Sequence, residues 1–404
     1  MRDLIRSDAA VALPSMLGAQ MIITMAAFAV PVVAPVAAPE IGVPSLYVGG
    51  FTSLVYLVGM ITGLFAGPLI ARLGSIGLSQ CLLLMIAAGI AVFDLATPLA
   101  ALIGAVAIGI GTGPMNPVST HLLARTTPPR WRAFTLSVKQ AGTPGGGMLA
   151  GVVIPPLVIA FGWQVALTSV IVGALAVALL LQLARPRLSA DRQSDRPAVR
   201  LSLIRPLRVA LSSPPLRAVN FMGFAFAGAQ VTLASYMVVF FTEEIGLALA
   251  AAGLLYAVFS GFGIPIRLVW GVIAERWIAS RTILILTGIA MIGCFCAITQ
   301  VTVAWSTAAL LGLAVLFGIS ANGWVGLYFA EIVRLAPEDS IADASSGSQF
   351  FSYGGIMVTP IVFGTLVALT GGYTIPFYML AGLCGMALLY LLVARETPAA
   401  DGGA

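Results

Sequence analysis

The sequence has very few of the residues that do chemistry. It holds a single histidine, His121, and four cysteines, and only 9% of its 404 residues are charged. A soluble chain of this length needs a more charged surface to stay dissolved, so a soluble globular protein is excluded. The catalytic inventory is equally thin, with no paired carboxylates, no His/Cys metal set, no activated nucleophile and no ATP-binding domain. A membrane enzyme or signalling receptor is therefore set aside, and no metal or cofactor is expected. Cys81, Cys294, Cys296 and Cys384 all fall in apolar stretches, and Cys294-x-Cys296 lacks metal-site spacing. They read as packing residues without disulfides. No Asp or Glu lies deep inside an apolar run.

What is abundant is hydrocarbon. The chain is 60% hydrophobic, in continuous, non-alternating runs long enough to cross a bilayer as helices, which takes about 20 residues. These runs predict twelve spans, at 11–38, 45–71, 77–95, 98–122, 133–159, 163–184, 216–241, 248–275, 281–299, 304–331, 342–369 and 374–394. Although Arg2 and Arg6 precede it, the first span is long and is followed by eleven others, so it is expected to be retained rather than cleaved.

Of the twenty Lys and Arg residues, eighteen sit in alternate connections or at the termini. Arg2 and Arg6 precede the first span, and Arg72 follows the second. Arg125, Arg130 and Arg132 follow the fourth, and eight arginines from Arg185 to Arg217 follow the sixth. Arg276 and Arg281 follow the eighth, Arg334 the tenth and Arg395 the last. The other connections carry only Glu40, Asp94, Glu243 and Glu244. Cytoplasmic loops collect Lys and Arg, so both termini are expected in the cytoplasm. Topology thus accounts for the net charge of +5, and no nucleic-acid partner is implied. Membrane lipids and a small-molecule substrate are the expected partners, the chain is expected to be monomeric, and a bacterial inner membrane fits the short loops.

The long connection 185–215 divides the chain into a bundle at 1–184 and a bundle at 216–404. Within it, Leu201 to Leu211 mixes leucines with Arg205 and Arg208, which suits either a membrane-surface helix or a solvated tether. The halves repeat. Gly109, Arg125, Pro128, Gln140, Gly145, Gly146 and Gly162 recur 209 positions later as Gly318, Arg334, Pro337, Gln349, Gly354, Gly355 and Gly371. A second echo, offset by 204, pairs Gly67-Pro-Leu-Ile-Ala71-Arg72 with Gly271-Val-Ile-Ala-Glu275-Arg276. Six spans repeated in one orientation make a parallel repeat about the membrane normal.

With these motifs the chain resembles a major facilitator superfamily transporter over essentially its whole length. Gly271 to Arg276 resembles the signature after the second span of a half. In the first-half copy Ala71 replaces the usual acid, so that half lacks the carboxylate that the resemblance implies for a conformational lock. Ser137 to Gly147 resembles the family's glycine-proline fifth span. Gly323 to Glu331 and Gly354-Gly355 resemble a branch with cyanate-permease-like and organic-anion carriers. The resemblance implies an all-α membrane fold of twelve helices in two six-helix bundles, alternating access, spans 5 and 8 facing across the seam, and a cavity lined by spans 1, 4, 7 and 10.

Lys139 and Arg267 are the two cations inside spans, each roughly 10 Å from the basic end at 1.5 Å per residue. On facing helices they would repel unless an anion lay between them. The alternative is that both snorkel to water or pair with an acid such as Glu331. Asn116, Asn322 and Gln230 are candidate substrate-binding amides, with Gln20, Thr24 and Asn220 beside them, and Tyr56, Tyr353, Tyr236 and Trp324 are candidate aromatic walls. Each amide is equally suited to helix–helix hydrogen bonding. Gly142 and Gly146 after Lys139, and Gly263 and Gly271 around Arg267, suggest a sliding seam bent by Pro144, Pro155 and Pro156, with static close packing as the alternative. Gly67, Arg72, Gly271, Glu275 and Arg276 are gating candidates. His121, Glu331 and Asp343 are candidates for coupling to a proton or counter-anion, with an interfacial histidine and ion pairing to Arg334 as the plainer readings.

A secondary or facilitative carrier of a small anion follows most directly. The alternative is an exporter of lipophilic drugs, for which Lys139 would be dispensable.

Overall fold

The computed structural model describes residues 8–188, 204–337 and 340–394. Among them are twelve helices long and apolar enough to cross a membrane, and no strand. They are α1 (Ala9–Ile41), α2 (Ser45–Gly63), α3 (Ala66–Phe93), α4 (Pro98–Thr126), α5 (Phe134–Phe161), α6 (Trp163–Leu188), α7 (Pro214–Glu244), α8 (Leu249–Arg276), α9 (Ser280–Ile298), α10 (Thr307–Leu335), α11 (Asp343–Thr370) and α12 (Thr374–Val393). Arg2, Arg6, Arg192, Arg196, Arg200 and Arg395 lie outside the described residues.

Local chemistry sets the helix boundaries and breaks. α4, α7 and α10 open on a side-chain cap, Thr97 accepting from the Ala100 N–H, Ser213 from Leu216 and Ser306 from Ala309. Pro98 and Pro214 occupy the first helical position, where a missing N–H costs nothing. Inside the spans the backbone breaks at Gly113-Pro114 in α4, at Ala141 in α5 and at Trp324 in α10. One boundary differs from the hydropathy reading. Gly67 and Arg72 are not at the end of the second span but open the third, in a short helical segment before a kink at Gly74 (φ 72°, ψ 161°). Only glycine adopts that backbone readily, so the break falls there and not in a loop after Arg72.

The two six-helix bundles share one internal architecture. In the first, α1 packs on α5 and α2 on α4; in the second, α7 packs on α11 and α8 on α10. The repeat offsets reappear as equivalent contacts. A Cβ on Gly109 would meet the Val55 carbonyl at 2.6 Å and Val58, and one on Gly318 would meet the Phe259 carbonyl at 2.7 Å and Phe262. Val55 and Val58 are 204 positions before Phe259 and Phe262, and Gly109 is 209 before Gly318. Gly146 against α1 and Gly355 against α7 form a second such pair. These are small-residue contacts at which two backbones nearly touch, the means by which helices associate in lipid.

The bundles meet along three seams, α5/α8, α2/α11 and α1/α7. One end of the molecule carries the arginines and the other Glu40, Asp94, Glu243 and Glu244. The acidic end is sealed. Ser235 donates to Thr52 Oγ1 at 3.0 Å, Ser45 donates to Glu243 at 2.6 Å, and the Tyr236 hydroxyl lies 2.7 Å from the Leu46 carbonyl and 3.2 Å from that of Pro360.

The connection between the bundles forms a helix, Ile204–Ala210, at the basic end. It is docked on the second bundle. Arg205 pairs with Asp343 at 2.9 Å, Asn220 Nδ2 donates to the Ala210 carbonyl at 2.7 Å, and Gly347 gives the Pro206 backbone room against α11. Of the leucines in that stretch, Leu207 lines the cavity between the bundles and Leu211 is exposed, while Leu201 and Leu203 lie outside the described residues.

Candidate functional site

A cavity of about 600 Å³ opens between the bundles at the basic end. α2 and the residue after it contribute Gly59, Met60, Gly63 and Leu64 to its wall, and α4 contributes Gly113, Asn116, Pro117 and Thr120. Leu136, Lys139 and Gln140 come from α5, Pro206 and Leu207 from the linker helix, and Phe329 from α10. Ser346, Gly347, Gln349, Phe350 and Tyr353 of α11 complete it. The expected lining by spans 1, 4, 7 and 10 is thus met only in part, since α1 and α7 are absent from this wall and α2, α5 and α11 replace them. Lys139 is the one charged side chain among the lining residues, and none of them is an acid.

Lys139 has no exposed surface. Its Nζ donates to Asn116 Oδ1 and lies 3.4 Å from Gln140 Oε1, so a buried ammonium is held by two neutral amide oxygens. It does not snorkel, and it does not pair with Glu331. That acid is buried and bonded by both Arg334 donors, at 2.8 and 3.0 Å. Burying an ammonium without a counter-ion costs several kcal/mol, of which amide hydrogen bonds return only part.

Arg267 does not share that cavity, contrary to the expectation that both cations grip one anion. Its Nε donates to the Asn322 carbonyl at 2.9 Å and its Nη1 to the Gln140 carbonyl at 2.9 Å. Both carbonyls are left free by breaks in the helix. In an α-helix the Gln140 carbonyl would accept from residue 144, which is proline and has no N–H. The Asn322 carbonyl stands at the end of the segment Thr307–Gly323. The guanidinium satisfies both.

The other candidate amides are also engaged within the protein. Asn322 Oδ1 accepts from Gln230 Nε2 at 2.8 Å, its Nδ2 donates to the Phe259 carbonyl at 3.1 Å, and Gln230 Oε1 accepts from Trp324 Nε1 at 3.0 Å. Gln20 donates to Thr24 at 3.2 Å where α1 meets α5, and Asn220 holds the linker helix. Of the aromatic candidates, Tyr353 lines the cavity and packs on Tyr56 across the α2/α11 seam with centroids 6.1 Å apart. Gly142 and Gly146 face α1 within their own bundle, and Gly147, Gly151 and Pro144 face α8. Gly67 and Gly271 have open space where a side chain would stand, so neither marks a close helix contact. Arg72, Glu275, Arg276 and His121 are exposed, and Asp343 pairs with Arg205.

Gln140, Gln349, Thr120 and Ser346 also line the cavity, beyond the candidates the sequence marks for binding. For the two glutamines the signal was present, because they are the non-glycine, non-loop pair preserved by the 209-position repeat.

Residues 16–360 match the Major Facilitator Superfamily family model. A hexuronate transporter of Bacillus subtilis (strain 168) is 21% identical over 308 residues, covering 70% of each chain. Among solved structures, the chain is similar to a bacterial homologue of the human lysosomal transporter Spinster in an inward-facing, occupied conformation. The TM-score is 0.72 at 14% identity, over 97% of this chain and 99% of the other. A POT-family transporter in complex with a thioalcohol-conjugated peptide superposes with a TM-score of 0.76 at 13% identity, over 94% and 95% of the two chains. The family match over most of the sequence, carried on twelve spans in two six-helix bundles, means that this chain belongs to the Major Facilitator Superfamily and is a membrane transporter, not an enzyme.

Proposed function

We propose that the protein carries a small organic anion by alternating access, with Lys139 as the cationic anchor of the substrate. The observation that carries this reading is the buried amino group of Lys139 on the wall of a cavity whose described lining holds no acid. An incoming carboxylate replaces neutral amide acceptors with a counter-ion and relieves the cost of the buried charge. Asn116, Gln140 and Gln349 would hold the remaining polar groups of the substrate, and Tyr353 with Tyr56 would form an aromatic wall. The distant similarity to a hexuronate transporter points the same way.

The cavity opens at the basic end while the acidic end is sealed. The basic end is assigned to the cytoplasm by its arginines, which makes this the inward-open state in a bacterial inner membrane. The moving bodies are residues 1–184 and 216–404, joined by the linker 185–215, and rocking about the three seams would expose Lys139 to either side. With no acid deep in the spans, coupling runs through the charge of the substrate itself or a counter-anion.

The test is a thermal-unfolding screen of detergent-purified protein against carboxylic acids, their neutral amides and lipophilic drugs, repeated with Lys139→Gln. A ligand of the folded state raises its apparent stability. Stabilisation by acids alone, lost in the variant, is expected. Stabilisation by neutral or cationic drugs, unchanged in the variant, would replace the anion carrier with a drug exporter.

A further inference from the structure

The three inter-bundle seams are not alike. Along α5/α8 the helices meet in a regular antiparallel ladder. A Cβ on Gly151 would meet the Gly253 carbonyl at 2.6 Å, one on Gly147 would meet Ser260 Oγ at 2.8 Å, and one on Gly263 would meet Pro144 Cβ at 3.0 Å. The next rung towards the basic end is Gln140 with Arg267, joined by a hydrogen bond of 2.9 Å.

The repeat places an equivalent rung on α2/α11. Gln349 stands 209 positions after Gln140, and Gly63 stands 204 positions before Arg267. A Cβ on Gly63 would lie 3.2 Å from the Gly113 carbonyl, and Gly113 is 209 positions before Asn322, whose carbonyl Arg267 binds. The same site in the two halves therefore holds a guanidinium in one and no side chain in the other. Gly63 and Gln349 both line the cavity; Arg267 fills the corresponding space at the other seam.

We infer that Arg267 is a positioning residue that ties the α5/α8 seam at its basic end, so that the cavity opens through α2/α11. It acts on two main-chain carbonyls and not on the carried solute. Its fork is suited to that task because two N–H groups reach two fixed acceptors at once, whereas a lysine presents a single mobile head. Pro144 is part of the device, since it keeps the Gln140 carbonyl free to be taken from across the seam. This inference depends on the transporter fold and not on the anion reading.

The seam is measured directly by pulsed EPR between spin labels on Phe134→Cys and Trp277→Cys, at the basic ends of α5 and α8, with the four native cysteines replaced. No substrate is added, so a failure of anion binding would sink the functional proposal and leave this one intact. The parent protein is expected to give one short distance. Arg267→Gln and Arg267→Lys should both populate a longer distance, with the open fraction raised about tenfold or more, as loss of a charge-assisted hydrogen bond implies. Pro144→Ala gives the Gln140 carbonyl an N–H in its own helix, and should shift the distribution the same way. Combined with Arg267→Gln it should add little. Pro156→Ala, on the exposed face of the same helix, should change nothing.

A parent-like distribution in Arg267→Lys would show that charge alone matters and overturn the inference, as would a parent-like distribution in Arg267→Gln. If the Arg267 variants do not fold, Pro144→Ala decides: an unchanged seam overturns the inference and a widened one supports it.

Discussion

The guanidinium of Arg267 lies 2.9 Å from the carbonyl of Gln140, on the facing helix of the other bundle. The side chain of that same glutamine reaches towards Lys139 at 3.4 Å. One residue thus meets the seam with its backbone and the cavity with its side chain. The two intramembrane cations, which look interchangeable as isolated residues, thus stand in different places, Lys139 on the cavity wall and Arg267 at the α5/α8 seam.

Asn116 matters more to Lys139 than Gln140 does, because its oxygen makes the closer contact. Asn116→Leu should lower stability by about 1–3 kcal/mol, the cost of leaving a buried polar group poorly satisfied, and Gln140→Ala by about 0.5 kcal/mol. Thermal unfolding in one detergent checks the order. Equal losses would mean that the ammonium is held otherwise.

Closely packed glycines at the seam should not tolerate a side chain. A Cβ on Gly151 would sit 2.6 Å from the Gly253 carbonyl and 2.8 Å from the Ala257 nitrogen, both backbone atoms that cannot rotate away. Gly151→Val should cost about 1–3 kcal/mol and slow transport, as overpacking does. Gly50, with nothing within 4 Å, should accept alanine with no loss of stability or rate.

Tyr236 bolts the acidic end. Its hydroxyl sits against Leu46 of α2 and Pro360 of α11, beside Gly49 and Gly364. Tyr236→Phe removes about 1 kcal/mol of bonding from the state sealed at that end, shifting the conformational equilibrium roughly fivefold towards the opposite opening. Accessibility of a cysteine at Ser45 to a membrane-impermeant thiol reagent should rise. No change would place the seal elsewhere.

Asp94, just beyond α3, is half-buried with an unpartnered Oδ1, and burial raises its carboxyl pKa to about 6. An acid whose pKa is higher folded than unfolded binds more protons in the folded state. Its protonation therefore favours the fold at low pH, and the advantage is lost as pH rises through about 4 to 6. Asp94→Asn should raise the melting temperature at pH 7.5 and leave it near the parent value at pH 4.5. A gain of equal size at both pH values would assign the effect to packing.

Most of the fold is legible in sequence because lipid imposes simple rules. Apolar length sets the spans, arginine bias sorts the loops, and the 209-position repeat sets two bundles whose glycines pack equivalently. The site is less legible. The burial of Lys139 in a span is visible, but the partners of Arg267 are backbone carbonyls, and only the proline at 144 hints that one is free. Asn322 and Gln230 bond to each other from 92 residues apart, which no local pattern reveals. The kink at Gly74 and the docking of the linker helix likewise depend on packing that hydropathy does not encode.

Lys139 is proposed to hold the charge of the carried solute. The direct measurement is uptake into liposomes of a carboxylic acid identified by the stability screen, comparing the parent with Lys139→Arg and Lys139→Gln. Saturable uptake is expected in the parent, with partial uptake in Lys139→Arg and loss of at least about tenfold in Lys139→Gln, the effect of removing one charge-assisted bond. Uptake by Lys139→Gln at the parent rate and affinity would contradict it.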